Sequence, residues 1–469
     1  MAMNFPQLSG AAKLQQVTRL LDTLNTDLQE KRLSATQKVE ALLQLRQHGT
    51  NPTDAGPIYC SDGIGILAQY GVEGETPDVR RAALRCIANA LLLDAKMRQL
   101  FADTGFGGKL AQRLKTDNSE DEMVISRILF LSTYDSTMDF EILIKNHSLG
   151  DNVNYQLSRH AKQFPKSGRS PLTQMDELAL TDTLKLIFNV SKLYSDLAVT
   201  FSPSIPHILK IISRIDIPAK PLDGLVSYLI NCLSVLDLEE KREKTFESNP
   251  LFPKFNQNCN VDKMINILDR AVSVYRPEEL EEKAIPLLHS LIIIHEIAPE
   301  GPRKYMQWLL LPEESDRSQP IGRDDTLASR LLKLSTSPYP NLKTGISELM
   351  FVLSGKDAEN LTRRIGYGFA AGFLASRGME IPQSASEAFS SDADGLDGGV
   401  NPITGQRWAA EPQDPGPPMT DEEKEREAER LFVLFERARA NGLITVENPV
   451  AQALHEGRLE ELPDDADSD

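Results

Sequence analysis

The stretch RRIGYGFAAGFLASRG, residues 363–378, separates the two folds that this sequence could encode. Its segment Gly366–Ala371 matches G-x-G-x-x-G/A, the pattern of a dinucleotide-binding turn that joins a β-strand to an α-helix. The preceding residues, ELMFVLSGKDAENLTRRI, instead have the pattern of a helix, a break at Gly355 and a second helix. We therefore predict glycines at a helix junction, where a bare backbone permits positive φ or close packing.

Helical periodicity extends through the chain on the N-terminal side of this stretch. In AAKLQQVTRLLDTLNTDL, residues 11–28, apolar side chains recur every three or four positions and so share one face of a helix. Similar segments follow, separated by Pro, Gly, Asn or Asp, and the alternating pattern of β-strands is almost absent. An all-α body is predicted, and the missing strands argue against a doubly wound α/β domain.

Four helical segments share one spacing of apolar residues before a polar residue. The matching triplets are Leu84, Ile87, Asn89; Leu184, Ile187, Asn189; Val226, Leu229, Asn231; and Ala284, Leu287, His289. Such a recurrence among successive helices indicates an α-solenoid of armadillo or HEAT type, although the intervals between matches are uneven.

Charge is distributed unevenly along the chain. The formal net charge is −17. Residues 379–469 hold 22 acidic and 7 basic residues, a net charge of −15, so the first 378 residues carry only −2. An acidic tail repels nucleic acid and anionic membranes, and no basic run compensates for it. A nucleic-acid partner is therefore not expected.

The residues that carry enzyme chemistry or membrane insertion form no recognisable pattern. The four cysteines include no C-x-x-C pair and the seven histidines lack metal-ligand spacing, so no metal or other cofactor is predicted. We find no nucleophile with a matching base and no phosphate loop. No apolar run approaches the roughly 18 residues of a transmembrane helix, and the N-terminus lacks the features of a secretory signal.

Composition changes after the helical body and sets the predicted domain boundaries. We predict a solenoid over residues 1–378, an acidic linker rich in Ser, Asp, Gly and Pro over 379–420, an amphipathic helix over 421–442 and an acidic tail over 443–469. The linker cannot bury enough apolar surface to offset its ordering entropy, so the tail is expected to be partly disordered.

The tail helix has a capping box and one apolar face. Thr420 and Glu423 have capping-box spacing, and Leu431, Phe432 and Phe435 contribute to an apolar stripe. Burying each large apolar side chain stabilises by roughly 1.5–3 kcal/mol, so this helix should dock on another surface. Sequence leaves open whether that surface is its own solenoid or a partner protein.

Several segments together resemble the synembryn family, cytosolic proteins that act on G-protein α subunits (Gα). These segments are RILFLSTYD (127–135), TLKLIFNVSK (183–192), AIPLLHSLIIIHEIAPEGPRKYMQWLLLP (284–312), residues 348–378 quoted above, NPITGQRW (401–408) and MTDEEKEREAERLFVLFERARANG (419–442). The similarity follows the same order over most of the chain and is strongest from about residue 330 to 445. The first 60 residues and the loop SRHAKQFPKSGRSPLTQ (158–174) match poorly.

The resemblance implies a fold and two linked activities. The expected fold is an armadillo/HEAT-type superhelix, and the expected activities are chaperoning of new Gα and release of GDP from Gα. In the family, the C-terminal helix of Gα enters a concave groove while the tail helix holds the Ras-like domain. The resemblance thus implies a cytoplasmic, monomeric exchange factor, recruited to the plasma membrane through Gα, without a covalent active site. The alternative is an armadillo-type adaptor that binds a peptide without affecting nucleotide.

Six residues of the body are candidates for binding the Gα C-terminal helix. Inward-facing amides of Asn89, Asn189 and Asn231 can each donate and accept hydrogen bonds, and Asn89 aligns with a groove position of the family. Alternatively, each amide bonds to loops of its own solenoid. Arg46 aligns with a basic groove residue and could pair with the terminal carboxylate of Gα; Arg85 and Arg127 are candidates of the same kind. Solvated arginines are the alternative.

In the tail, Leu431, Phe432 and Phe435 are the candidate partner contacts. Ser384 and Ser391 each precede an acid by three residues, a spacing favoured by acid-directed kinases, and the family is phosphorylated in this linker. The surrounding acidic run is sparser than the family pattern. These serines are therefore candidate phosphorylation sites, with unmodified serines as the alternative.

Overall fold

The structure is a computed structural model that describes residues 6–164, 172–239, 247–312 and 317–380, together with part of the segment 401–437. The regular elements in these ranges are helical, as predicted, and contain no β-strand. In chain order, the α-helices are α1 (Gly10–Glu30), α2 (Ala35–His48), α3 (Ser61–Glu73), α4 (Pro77–Leu93), α5 (Lys96–Asp103), α6 (Gly107–Arg113), α7 (Ser119–Leu131), α8 (Phe140–His147), α9 (Leu149–Gln163), α10 (Gln174–Leu193), α11 (Ile205–Arg214), α12 (Gly224–Leu233), α13 (Cys259–Val274), α14 (Pro277–Lys283), α15 (Ile285–Ile297), α16 (Glu300–Leu310), α17 (Leu327–Ser335), α18 (Pro340–Leu353), α19 (Ala358–Ile365) and α20 (Tyr367–Ser376).

Local capping signals determine where several helices begin. The Thr76 hydroxyl caps α4 by accepting a hydrogen bond from the backbone N–H three residues on, and Pro77 and Asp78 occupy the first turn. Proline at this position already has a helical φ, and an acid there complements the helix dipole. At α10, Thr173 and Asp176 form a capping box. Helix starts are thus encoded within four or five residues of sequence.

The helices pack in two rows, which confirms the predicted α-solenoid. In what we call the front row, α2, α4, α7, α10, α12, α15 and α18 pack each against the next. The back row contains α6, α9, α11, α13 and α17, also packed in sequence, and its helices contact front-row helices close to them along the chain. Apolar side chains between the rows form one continuous core. A stack of this kind is stabilised mainly by contacts between neighbouring repeats.

The recurring spacing found in the sequence maps onto the front row. The Asn89, Asn189 and Asn231 segments lie in α4, α10 and α12, and the His289 segment runs into α15. Their apolar members are buried in the core. The repeat is therefore a property of helices that occupy equivalent places in the stack.

The glycines of residues 363–378 lie at a helix junction, as predicted. Gly366 ends α19 and precedes α20, with φ +79° and ψ 147°. L-residues rarely adopt this backbone conformation, because their Cβ clashes with the backbone there. The sequence between Gly366 and Ala371 forms the start of α20, with no strand before it.

A buried polar cluster joins α7, α9 and α10. The Glu122 carboxylate is fully buried and accepts a hydrogen bond from Thr183 Oγ1 at 2.8 Å. His160 Nε2 lies 2.8 Å from the same carboxylate, and Arg159 forms an ion pair with it. A buried carboxylate is tolerated when it is paired and hydrogen-bonded, so this cluster fixes the relative positions of the three helices.

The described residues up to Arg407 belong to one compact unit and those from Ala410 onward to a second. Within the first unit, α20 ends at Ser376, and Thr404 and Arg407 form backbone hydrogen bonds with Ile321 and Arg317 in the loop before α17. The boundaries of the linker and tail remain predictions. Among the described helices, none combines the length and apolar character needed to cross a membrane.

Candidate functional site

The six predicted body residues lie on five consecutive helices of the front row. They are Arg46 on α2, Arg85 and Asn89 on α4, Arg127 on α7, Asn189 on α10 and Asn231 on α12. Because these helices pack side by side, residues far apart in sequence fall along one stack of neighbouring helices. The structure brings the candidates onto adjacent helices, whereas their role in binding remains a prediction.

The three asparagines have different environments. Asn189 is buried, and its Nδ2 donates to Thr133 Oγ1 at 2.7 Å, which ties α10 to the end of α7. Asn89 and Asn231 are half-buried, and their side-chain amides make no hydrogen bond within the part of the chain that the structure describes. Asn189 thus has the internal role that the sequence left open. The amides of Asn89 and Asn231 have unused hydrogen-bonding capacity for a ligand.

Arg85 and Arg127 pair with acids on the next front-row helix. Arg85 Nη2 lies 3.1 Å from Glu120 Oε2, and Arg127 Nη2 lies 2.8 Å from Asp182 Oδ2. Burial raises the pKa of Asp182, while Arg127 and the nearby Lys185 act in the opposite direction. Arg127 therefore compensates the charge of a buried carboxylate, in addition to any contact with a ligand.

Arg46 is exposed in the last turn of α2, close to α4. Beside it, the fully buried Cys86 thiol donates to Leu42 O at 3.2 Å. Burial raises the pKa of Cys86 to about 12, and the positive charge of Arg46 partly opposes this shift. Arg46 makes no side-chain hydrogen bond to another described residue, so its guanidinium can donate hydrogen bonds to a carboxylate of a partner.

Sequence reasoning missed an aromatic and cationic patch on α7, α10 and α12. Lys185 Nζ lies 5.0 Å from the ring centroid of Tyr228 and 5.7 Å from that of Phe130. Phe130 in turn meets the exposed Tyr134 edge to face, with 5.6 Å between ring centroids. Lys185 also pairs with Asp182, so the patch offers aromatic rings and a partly neutralised cation as a contact surface.

A signal for this patch was present in the sequence. Lys185 follows Leu184 in the repeated triplet just as Arg85 follows Leu84, so the repeat places a cation at the same position of two helices. Phe130 and Tyr134 are only four residues apart, on either side of the end of α7 at Leu131, so their contact is local in sequence. The pairing with Tyr228 has no such local signal.

The capping contacts expected before the tail helix are present, while the bounds of that helix stay a prediction. Thr420 N donates to Glu423 Oε2 at 3.0 Å and Glu423 N donates to Thr420 Oγ1 at 3.4 Å, which completes the capping box. Phe432 is 42% exposed and the adjacent Val433 is 46% exposed, so both are accessible for contact. The other predicted tail contacts and the candidate phosphorylation sites lie outside the described residues; these are Leu431, Phe435, Ser384 and Ser391.

The family model for the guanine nucleotide exchange factor synembryn matches residues 41–458 of this chain. The chain belongs to the synembryn family. The match begins inside α2 and covers the rest of the front row as well as the tail helix.

Curated relatives of this chain are named as chaperones. It is 25% identical to chaperone Ric-8A of Macaca fascicularis over 476 aligned residues, which cover 92% of this chain and 86% of the relative. A synembryn-like chaperone of Schizosaccharomyces pombe is also 25% identical, over 73% of this chain and 66% of its own length. Among solved structures, an engineered protein aligns with 60% of this chain and 97% of its own at a TM-score of 0.37 and 13% identity.

Proposed function

We propose that this synembryn is a chaperone and a non-receptor guanine-nucleotide exchange factor for monomeric Gα. The front row would bind the C-terminal helix of Gα, and the tail helix would hold its Ras-like domain, so that the nucleotide-free state is stabilised and GDP leaves. Family membership and the chaperone names of the relatives support this function. We place the activity in the cytoplasm, with recruitment to the membrane through Gα.

The observation that carries the proposal is the continuity of the polar and aromatic surface along the front row. Half-buried asparagine amides lie on α4 and α12, cations and aromatic rings lie on α7 and α10 between them, and pairs such as Arg127 with Asp182 link neighbouring helices. An amphipathic helix needs apolar contacts along its length and polar partners at its end. The exposed guanidinium of Arg46, on the first helix of the row, suits the terminal carboxylate.

Energetics require more than one contact region. If Gα holds GDP with nanomolar affinity, release forgoes about 12 kcal/mol of binding free energy. An exchange factor must therefore bind empty Gα more tightly than loaded Gα by a comparable amount, since equal affinity shifts nothing. Two regions, the front row and the tail helix, together offer a surface larger than a single peptide groove. No bond of the nucleotide breaks, so no covalent active site is needed.

The test is GDP release from monomeric Gα, measured with and without this protein. We expect acceleration with full-length Gα and none when the last residues of Gα are removed. If no Gα from the same organism releases GDP faster, the exchange activity is wrong. Binding of an isolated Gα tail peptide with unchanged GDP release would identify the adaptor instead.

A further inference from the structure

A short segment beyond the last solenoid helix pairs with the loop before α17. We define the clasp as Asn401 and residues 404–407. Ile321 N donates to Thr404 O, and Arg407 N donates to Arg317 O, each at 2.9 Å. Because these bonds join backbone atoms more than eighty residues apart, the clasp holds the chain on the solenoid well after α20 has ended.

A buried arginine anchors the clasp to a helix end. The Arg317 side chain is only 4% exposed; its Nη1 donates to Gly405 O at 3.2 Å and its Nη2 to Arg363 O at 2.9 Å, in the last turn of α19. Gln406, 7% exposed, donates from Nε2 to Ser318 O at 3.0 Å. Hydrogen bonds from a buried guanidinium to carbonyls are charge-assisted and strong, so they hold the clasp firmly on the end of α19.

The clasp requires glycine at position 405. Gly405 has φ +71°, and a Cβ added there would lie 2.1 Å from Ile321 Cδ1. Its N–H donates to Asn401 O at 2.7 Å, which closes the turn. A side chain at this position is disfavoured both by backbone strain and by contact with the Ile321 side chain. The NPITGQRW motif therefore encodes a turn that fits this surface.

We propose that the clasp positions the tail helix for the Gα bound on the front row, an inference that rests on the proposed function. With the clasp closed, the chain between its anchor and the predicted start of the tail helix comprises residues 408–420; with the clasp open, it comprises residues 381–420. At about 3.5 Å per residue, closing the clasp lowers the maximal reach of this chain from about 140 Å to about 45 Å. The effective concentration of a tethered group falls roughly as the −3/2 power of linker length, so opening the clasp lowers it about five-fold.

The test compares two glycine substitutions in the full chain. Gly405→Ala opens the clasp, whereas Gly378→Ala is the matched control, because Gly378 also has positive φ but no heavy atom lies within 4 Å of its added Cβ. Hydrogen exchange by mass spectrometry reads the amides of Ile321 and Arg407 without Gα. We expect at least ten-fold faster exchange in Gly405→Ala and wild-type exchange in the control. Fast exchange of both amides already in the wild-type chain would show that no clasp forms, and wild-type protection in Gly405→Ala would show that residue 405 does not control it.

To test whether the clasp acts through the tail helix, GDP release at subsaturating Gα and the affinity for a Gα tail peptide are measured. Gly405→Ala should slow GDP release about five-fold, consistent with the tether estimate, and leave peptide affinity unchanged. In a Phe432→Asp background, Gly405→Ala should cause no further loss, since the helix it positions is already disabled. Loss of peptide affinity, unchanged GDP release or additive losses would each overturn the positioning role. A wild-type chain that never accelerates GDP release overturns the proposed function instead, while amide exchange still reports on the clasp.

Discussion

At the scale of single residues, similar side chains divide into those that hold the solenoid and those that face a ligand. Asn189 and Asn231 occupy the same position of the repeated triplet, yet only Asn189 is buried and bonded to Thr133. The difference arises from the turn that follows α7, which presents the Thr133 hydroxyl to Asn189. Equivalent positions in the sequence thus have different roles in the structure.

These two roles predict that alanine substitution lowers stability at Asn189 and weakens peptide binding at Asn231. Asn189→Ala should lower the free energy of unfolding by about 1 kcal/mol, because it removes a buried hydrogen bond. Asn231→Ala should change it by less than about 0.5 kcal/mol and weaken binding of a Gα tail peptide. Urea denaturation and peptide titration measure the two quantities. Loss of peptide affinity in Asn189→Ala with unaltered stability would contradict the assignment.

His295 predicts a pH dependence of stability. It is buried in α15, its Nε2 has no hydrogen-bond partner among the described residues, and burial lowers its pKa to about 4, with Arg303 acting in the same direction. As pH falls from about 6.5 to 4, the unfolded chain takes up a proton that the folded chain refuses. Folded-state stability therefore falls across this window, by at most about 1.4 kcal/mol per pH unit, and is fully present above it.

The measurement is the urea midpoint of wild type and His295→Gln between pH 7.5 and 4.5. The variant should show the shallower decline, since carboxylates titrate in both proteins and cancel in the comparison. His289→Gln, on the exposed face of the same helix, is the matched control and should retain the wild-type decline. Parallel curves for wild type and His295→Gln would refute the effect.

At the scale of elements, the junction between α19 and α20 depends on one glycine. Gly366→Ala should destabilise the protein by about 1–3 kcal/mol, because φ +79° with ψ 147° is strained for any residue with a Cβ. Gly372→Ala is the control: it lies inside α20, where an added Cβ meets only Lys343 Nζ at 3.7 Å, and alanine favours helix by about 1 kcal/mol. Thermal denaturation should therefore shift in opposite directions; a neutral Gly366→Ala would show that the junction relaxes.

The elements and their starts could be predicted from sequence, whereas their partners could not. Thr420 and Glu423 form their capping box with each other, so the signal is complete within four residues. Arg127 meets Asp182 across 55 positions of sequence, and periodicity reveals the face of a helix without naming the side chain opposite. The clasp was visible only as a family motif, because its turn fits a surface built by distant residues.

At the scale of the whole molecule, charge and apolar surface are separated between the solenoid and the tail. The body is nearly neutral and contains the continuous core, whereas residues 379–469 carry most of the negative charge. The described tail residues belong to a separate compact unit. We infer that the tail contributes to binding a client and little to folding of the solenoid.

Deletion of residues 421–469 tests this inference. The shortened protein should keep the far-ultraviolet circular dichroism and melting temperature of the solenoid, apart from the signal of the deleted helix. GDP release from Gα should decrease more than affinity for the Gα tail peptide, because only the tail contact is lost. A loss of helicity well beyond the deleted segment would show that the tail supports the fold.

The helices of the front row pack in series, so the row is a quasi-one-dimensional stack. Each front-row helix packs against the next, so slight rotations at successive junctions add up along the stack. Under the proposed function, such small rotations would let the front row stay in contact with Gα as its nucleotide leaves.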